Sequence, residues 1–246
     1  MPLREPEYPS TLAADADSRL WDTLATACRI LGAEGQNDTV YGHISARSAS
    51  GERFWLKGAG LGLEEIAHTD FLELDLDGNI LAGRRARHLE YPIHSEIYRR
   101  RPDVAAVVHT HPLYATVLGA LLSELRPITH EGSFFVPPPL PKFDQTSDLI
   151  ITPELGLAVA QRLGERRALF LVNHGIVVVG DSIETACVSA LLLDKACRAQ
   201  LMAQAAGAFS WTSDVESLRK RNRIYTPQAI QQMWNYYGRR LARDKS

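Results

Sequence analysis

The spacing of hydrophobic residues changes period several times along this chain. From Ser18, "SRLWDTLATACRILGAEG" sets Leu20, Trp21, Leu24, Cys28 and Leu31 on one face of a predicted helix, which Gly32 and Gly35 close. The period then drops to two. "TVYGHISARS" and "RFWLKG" predict a hairpin around Ser50-Gly51, and "DFLELDLDGNILAG" predicts another around Asp77-Gly78-Asn79. "PIHSEIYRRR" predicts a helix opened by Pro92 and stopped before Pro102. "VAAVVHTH" follows as a strand and "PLYATVLGALLSEL" as a helix. The prolines of "EGSFFVPPPLPKFD" lack the amide donors of a central strand, so that stretch predicts an ordered loop.

Beyond the prolines, "TPELGLAVAQRL" predicts a helix capped by Thr152 with Pro153 at its first position. "ALFLVNHGIVVVG" gives two short strands broken at Asn173-His174-Gly175. A long helix is predicted over 182–206 and an amphipathic one in "TPQAIQQMWNYYGRRLARD". Strands in hairpins between helices predict an α/β sandwich with a mainly antiparallel sheet. The chain reads as a single domain over 1–246, with an N-terminal arm over 1–17 and a C-terminal tail helix within 208–246.

Composition narrows the class. With 246 residues, 45% of them hydrophobic, the chain can bury a full core, and a formal net charge of -2 offers no general field for nucleic acid or anionic lipid. The basic runs "RRARH" and "RRRP" read as solvated surface. No run of roughly 18 apolar residues predicts a membrane span. The proline-rich, acidic N-terminus does not resemble a secretory signal. Three scattered cysteines without a Cys-x-x-Cys fit small buried residues in a cytoplasmic protein.

The chemistry concentrates in histidines. In "VVHTHP", His109 and His111 are two apart on a predicted strand and project from one face, so one metal ion can take both. His174 follows an apolar strand, where Gly175 permits a turn that brings the imidazole into the open. Three imidazoles with an open position describe a catalytic rather than a closed zinc site. Glu90, just before the helix opened by Pro92, can complete the metal shell or move protons; it can equally be a carboxylate favoured by the helix dipole. His68 reads as exposed in a polar turn, and His94 as a hydrogen-bonded supporting residue.

Together, "GHISAR", Glu90, "RPDVAAVVHTHP" and "LVNHGIVVVGDSIETA" resemble the class II aldolase/adducin family over roughly residues 18–205. The resemblance implies an α/β/α sandwich, commonly a homotetramer with sites at subunit interfaces. It also implies one divalent metal per subunit on His109, His111 and His174, with Glu90 as catalytic carboxylate. Three imidazoles suit zinc, with iron, cobalt and manganese open. Family aldolases acting on sugar phosphates carry Gly-Asn-x-Ser where this chain has Gly42-His43-Ile44-Ser45. They also carry two serines where it has His88-Leu89. Leucine offers a phosphate no donor.

The expected substrate is therefore an unphosphorylated carboxylic acid. His43, Ser45, Arg47, Lys57, Gly58 and His88 are the candidate contacts, with His130 reaching in from before the proline loop and Phe134 and Phe135 as an apolar wall. This pattern is similar to family members that decarboxylate hydroxylated aromatic acids of the dihydroxyphthalate type. An aldolase on a hydroxy-keto acid or sugar (phosphate) and a non-catalytic, adducin-like interaction domain are the alternatives.

Overall fold

A computed structural model describes residues 11–243, with side chains from Arg19 onward. Eight strands form one sheet: β1 (His43–Arg47), β2 (Arg53–Lys57), β3 (Phe71–Asp75), β4 (Ile80–Ala82), β5 (Ala106–Thr110), β6 (Lys142–Phe143), β7 (Ala168–Leu171) and β8 (Gly175–Gly180). Their order is β4-β3-β2-β1-β5-β8-β7-β6, and every pairing is antiparallel except β6 with β7. The helices are α1 (Thr11–Leu31), α2 (Tyr91–Arg100), α3 (Leu113–Ala120), α4 (His130–Phe135), α5 (Pro153–Leu163), α6 (Ile183–Ala206), α7 (Asp214–Ile224) and α8 (Pro227–Arg243).

Alternation along the strands splits the interior into two layers and gives the expected α/β/α sandwich. In β5, Ala106 and Val108 enter the core under α1, α3, α4 and α6. Val107 enters the other core, with Ile93 and Ile97 of α2 and Val159 and Leu163 of α5. Along β1, Ile44 and Ala46 join the first core. His43 and Ser45 therefore stand on the α2 face, and His43 is paired with His109 across the sheet. None of the described helices is long and apolar enough to cross a membrane.

Four expectations change. Helix α1 begins at Thr11, so part of the expected 1–17 arm is helical, and the rest lies outside the described residues. The stretch "HEGSFF" is helix rather than loop: the Thr129 hydroxyl caps α4 by accepting from the Gly132 amide. The 208–246 tail holds two helices. The first, α7, is capped by Ser213 and held by Arg221, which donates to the Ser133 and Pro137 carbonyls. The second, α8, lays Ile230, Met233, Trp234 and Tyr237 on the chain's own core. Finally, Pro92 follows Tyr91 instead of opening α2.

Candidate metal centre

One end of the sheet gathers the C-terminal end of β5, the start of β8 and the loop before α2. There Glu90, His109, His111 and His174 converge, each offering a ligand atom within 4.8 Å of the others. His109 is fully buried, and its Nδ1 donates to the Ile176 carbonyl at 2.9 Å. His111 Nδ1 donates to the Asp38 carboxylate at 3.0 Å. Each proton therefore sits on Nδ1, and the Nε2 lone pairs meet at 3.2 Å. Two facing lone pairs repel unless a cation lies against both. Hydrogen bonds on the outer nitrogens are also how metal-ligating imidazoles are oriented. The donor set fits a divalent ion.

Glu90 occupies the cap position of α2 but caps nothing. One oxygen accepts the Ile150 amide at 2.9 Å and lies 3.5 Å from His174 Nε2; the other lies 3.5 Å from His109 Nε2. Burial raises its proton affinity, but its polar contacts, the donating Ile150 amide among them, outweigh this and hold the carboxyl well below its usual range. It is an anion at neutral pH. Burial, reinforced by His109 and His174, lowers His111 to about 4 against the opposing pull of Asp38.

The turn at His174 works differently from expectation. Asn173, not Gly175, takes the left-handed conformation, with φ 58°. Gly175 is needed for space: a Cβ there would lie 2.6 Å from both His111 Cδ2 and the Thr110 carbonyl. The backbone of one ligand thus packs against the ring of another.

Beside the cluster lies a second set of histidines. The His43 ring centroid is 4.5 Å from His88, 4.8 Å from His94 and 5.0 Å from His109. Lys57 is fully buried, its ammonium 3.4 Å from the Val40 and Gly58 carbonyls and from His88 Nε2, with no carboxylate in ion-pair reach among the described residues. Burial lowers the Lys57 pKa, and burial together with Lys57 lowers His88 to about 4. Gly58 is a close-packing position, where a Cβ would strike Arg85 and the Asp70 carbonyl.

Other expected contacts are not brought here. Ser45 is sealed between His94 and Tyr98. Arg47 points to the far end of β1 and donates to the carbonyls of Gly51, Tyr98, Val104 and Arg101. His130 is exposed at the start of α4, outside the cluster. Phe134 and Phe135 belong to the core, Phe134 against Tyr225, so they form no wall for a ligand. Sequence reasoning missed Asp38, the Ile150 amide and Tyr98. An acid in the loop "QNDTVYG" carries no periodic signal, and a backbone donor carries none at all.

One end of the sandwich brings together three imidazoles and one carboxylate, a set that could hold a metal ion. The chain belongs to the class II aldolase and adducin N-terminal domain family, whose model matches residues 22–201. It is 31% identical over 206 residues to a 3,4-dihydroxyphthalate decarboxylase of Arthrobacter keyseri, covering 76% of this chain and 79% of that protein. It is 33% identical over 159 residues to decarboxylase NovR of Streptomyces niveus, where the match covers 63% of this chain and only 58% of NovR. An L-fuculose 1-phosphate aldolase structure from Glaciozyma antarctica PI12 superimposes with a TM-score of 0.83 at 26% identity, covering 96% and 93% of the two chains.

Proposed function

We propose that the chain is a divalent-metal-dependent decarboxylase of an unphosphorylated, hydroxylated aromatic acid, a dihydroxyphthalate or dihydroxybenzoate. The observation that carries this reading is the segment His88-Leu89 before Glu90. His88 packs on His43 within reach of Lys57, and Leu89 is 64% exposed with no donor to offer. The resemblance puts two phosphate-binding serines at these positions in sugar-phosphate aldolases. A buried ammonium without an ion pair favours an incoming carboxylate. Similarity to two decarboxylases agrees with this.

His109, His111 and His174 would hold the ion, zinc being the first choice for three imidazoles. When bound, it supplies a Lewis acid for the oxygen that receives the electrons of the broken carbon–carbon bond. Glu90, an anion beforehand, takes a hydroxyl proton from the substrate and returns it to the ring carbon as carbon dioxide leaves. A homotetramer is part of the reading, supported by exposed apolar residues around the site and on α3, among them Tyr41, Leu89 and Leu113. The three buried free cysteines agree with a cytoplasmic setting.

The test is carbon dioxide release by metal-loaded protein from a panel of dihydroxybenzoates and dihydroxyphthalates, run beside fuculose and ribulose phosphates. Release from an aromatic acid is expected. Cleavage of a sugar phosphate with no release from any aromatic acid would overturn the proposal.

A further inference from the structure

Behind the candidate centre runs a buried chain of polar groups that the proposed chemistry does not use. His43 Nδ1 lies 2.6 Å from His94 Nε2, and His94 Nδ1 lies 2.6 Å from Ser45 Oγ. Ser45 Oγ lies 2.7 Å from the Tyr98 hydroxyl. All four side chains are at most 2% exposed. Both rings are buried with only neutral groups as hydrogen-bond partners and no carboxylate on either among the described residues, so both are neutral. Each ring then has one donor and one acceptor nitrogen, and the chain can run in only two directions.

Tyr98 decides between them. The Val107 amide donates to its hydroxyl, and Ser45 Oγ is its one hydrogen-bond acceptor among the described residues. If Ser45 donated to Tyr98, the buried phenol hydrogen would have no acceptor, a costly arrangement. Tyr98 therefore donates to Ser45, Ser45 to His94 Nδ1, and His94 Nε2–H to His43 Nδ1. The remaining hydrogen of His43 must sit on Nε2. That atom has no protein partner among the described residues, yet it is not among the sealed, unsatisfied polar atoms.

We infer that Tyr98, Ser45 and His94 are positioning residues that fix His43 as the Nε2–H tautomer, so that a neutral hydrogen-bond donor faces the substrate beside His109. This rests on the proposed reading of this end of the sheet as the substrate site. A fixed donor in a dry setting selects a substrate oxygen that carries or develops negative charge, such as a carboxylate or phenolate. It does not serve as a base. Consecutive buried hydrogen bonds polarise one another, which strengthens the terminal donor.

Nitrogen-15 spectroscopy of the zinc-loaded full chain, with ring-labelled histidine, reads the tautomers directly. His43 and His94 are expected as neutral Nε2–H forms. An Nδ1–H form or an imidazolium at His43 near pH 7 would overturn the inference, whatever the activity. Tyr98→Phe frees the Ser45 hydroxyl to turn around. It should mix the His43 tautomers and lower kcat on the aromatic acid turned over by the wild type about tenfold, with zinc stoichiometry and KM little changed. An unchanged His43 spectrum in a folded Tyr98→Phe variant would also count against the chain. If that variant does not fold, the wild-type spectrum alone decides. Expected tautomers in a protein that releases no carbon dioxide from any acid would defeat the decarboxylase reading and leave the directional chain standing.

Discussion

The Asp38 carboxylate lies 3.0 Å from His111 Nδ1, on the side of the ring away from His109. Asp38 is contributed by the loop before β1, whereas His111 follows β5. The contact fixes the imidazole as a donor on one nitrogen and leaves the other as a metal ligand. It also raises the basicity of that ligand nitrogen. Asp38→Asn keeps the size but can turn its amide N–H toward the ring and favour the wrong tautomer. Zinc affinity measured by competition with a chelator should fall on the order of 10- to 100-fold. Wild-type affinity in Asp38→Asn would show that the carboxylate does not orient His111.

Glu90 tests proton transfer separately from metal binding. Glu90→Gln preserves an acceptor for the Ile150 amide but cannot take up a proton. Zinc should remain bound through the three histidines, while turnover falls by roughly 10²-fold or more, the range of general acid–base contributions. Elemental analysis and steady-state kinetics on the same preparation check both. Near-wild-type turnover would reject the role.

How much of this centre was legible follows from which residues carry periodic information. His109 and His111 announced themselves because a strand repeats every second residue. The sheet keeps them on one face, opposite Thr110, which instead donates to Gln36. Arg47 illustrates the limit. It shares that face with His43, but four positions along a strand carry it to the opposite end, where carbonyls consume its donors. Alternation predicts the face and says nothing about depth. The helical "HEGSFF" was hidden by the prolines that follow it, and the Ser213 cap by the polar stretch around it. Folding of the Phe pair into the core is a tertiary fact with no local signature.

Gly175→Ala tests the close approach of the two ligand segments. The added methyl would meet the Thr110 carbonyl, which is backbone and cannot rotate away, and the His111 ring. Overpacking of this kind costs about 1–3 kcal/mol. Because the ring must move, zinc affinity should fall with stability. Thermal unfolding and zinc titration should both register the change. A loss of stability with unaltered zinc binding would mean that the backbone absorbs the strain without moving His111.

Acid should unfold the metal-free protein early. His88 drops from 6.5 to about 4 in the folded chain, by burial and by Lys57. Its folded form thus binds a proton less readily than the unfolded chain. Stability from this group is complete above about pH 6.5 and is lost as pH falls toward 4. His43 and His94, held well below 6.5, add to the loss in the same direction. Urea unfolding of the metal-free protein should give a falling free energy over that interval, by at least about 2 kcal/mol. A flat profile between pH 6.5 and 4.5 would contradict neutral burial of these rings.

Lys57 separates stability from function. Its ammonium is fully buried, with two carbonyls and His88 Nε2 at 3.4 Å and no carboxylate partner among the described residues. Desolvating such a charge opposes folding, and burial accordingly lowers the pKa. Methionine has similar reach, and the stem of Lys57 lies on the α1 face of the sheet, where its neighbours Trp55 and Phe71 enter the core. Lys57→Met should therefore leave stability unchanged or raise it, on the order of 1 kcal/mol. If the ammonium is kept for a substrate carboxylate, the same variant should raise KM for the aromatic acid at least about tenfold, one lost charge-assisted contact. Calorimetry and kinetics on one preparation read both quantities. A clear loss of stability with an unchanged KM would make Lys57 a structural residue and remove the carboxylate subsite from the proposed function.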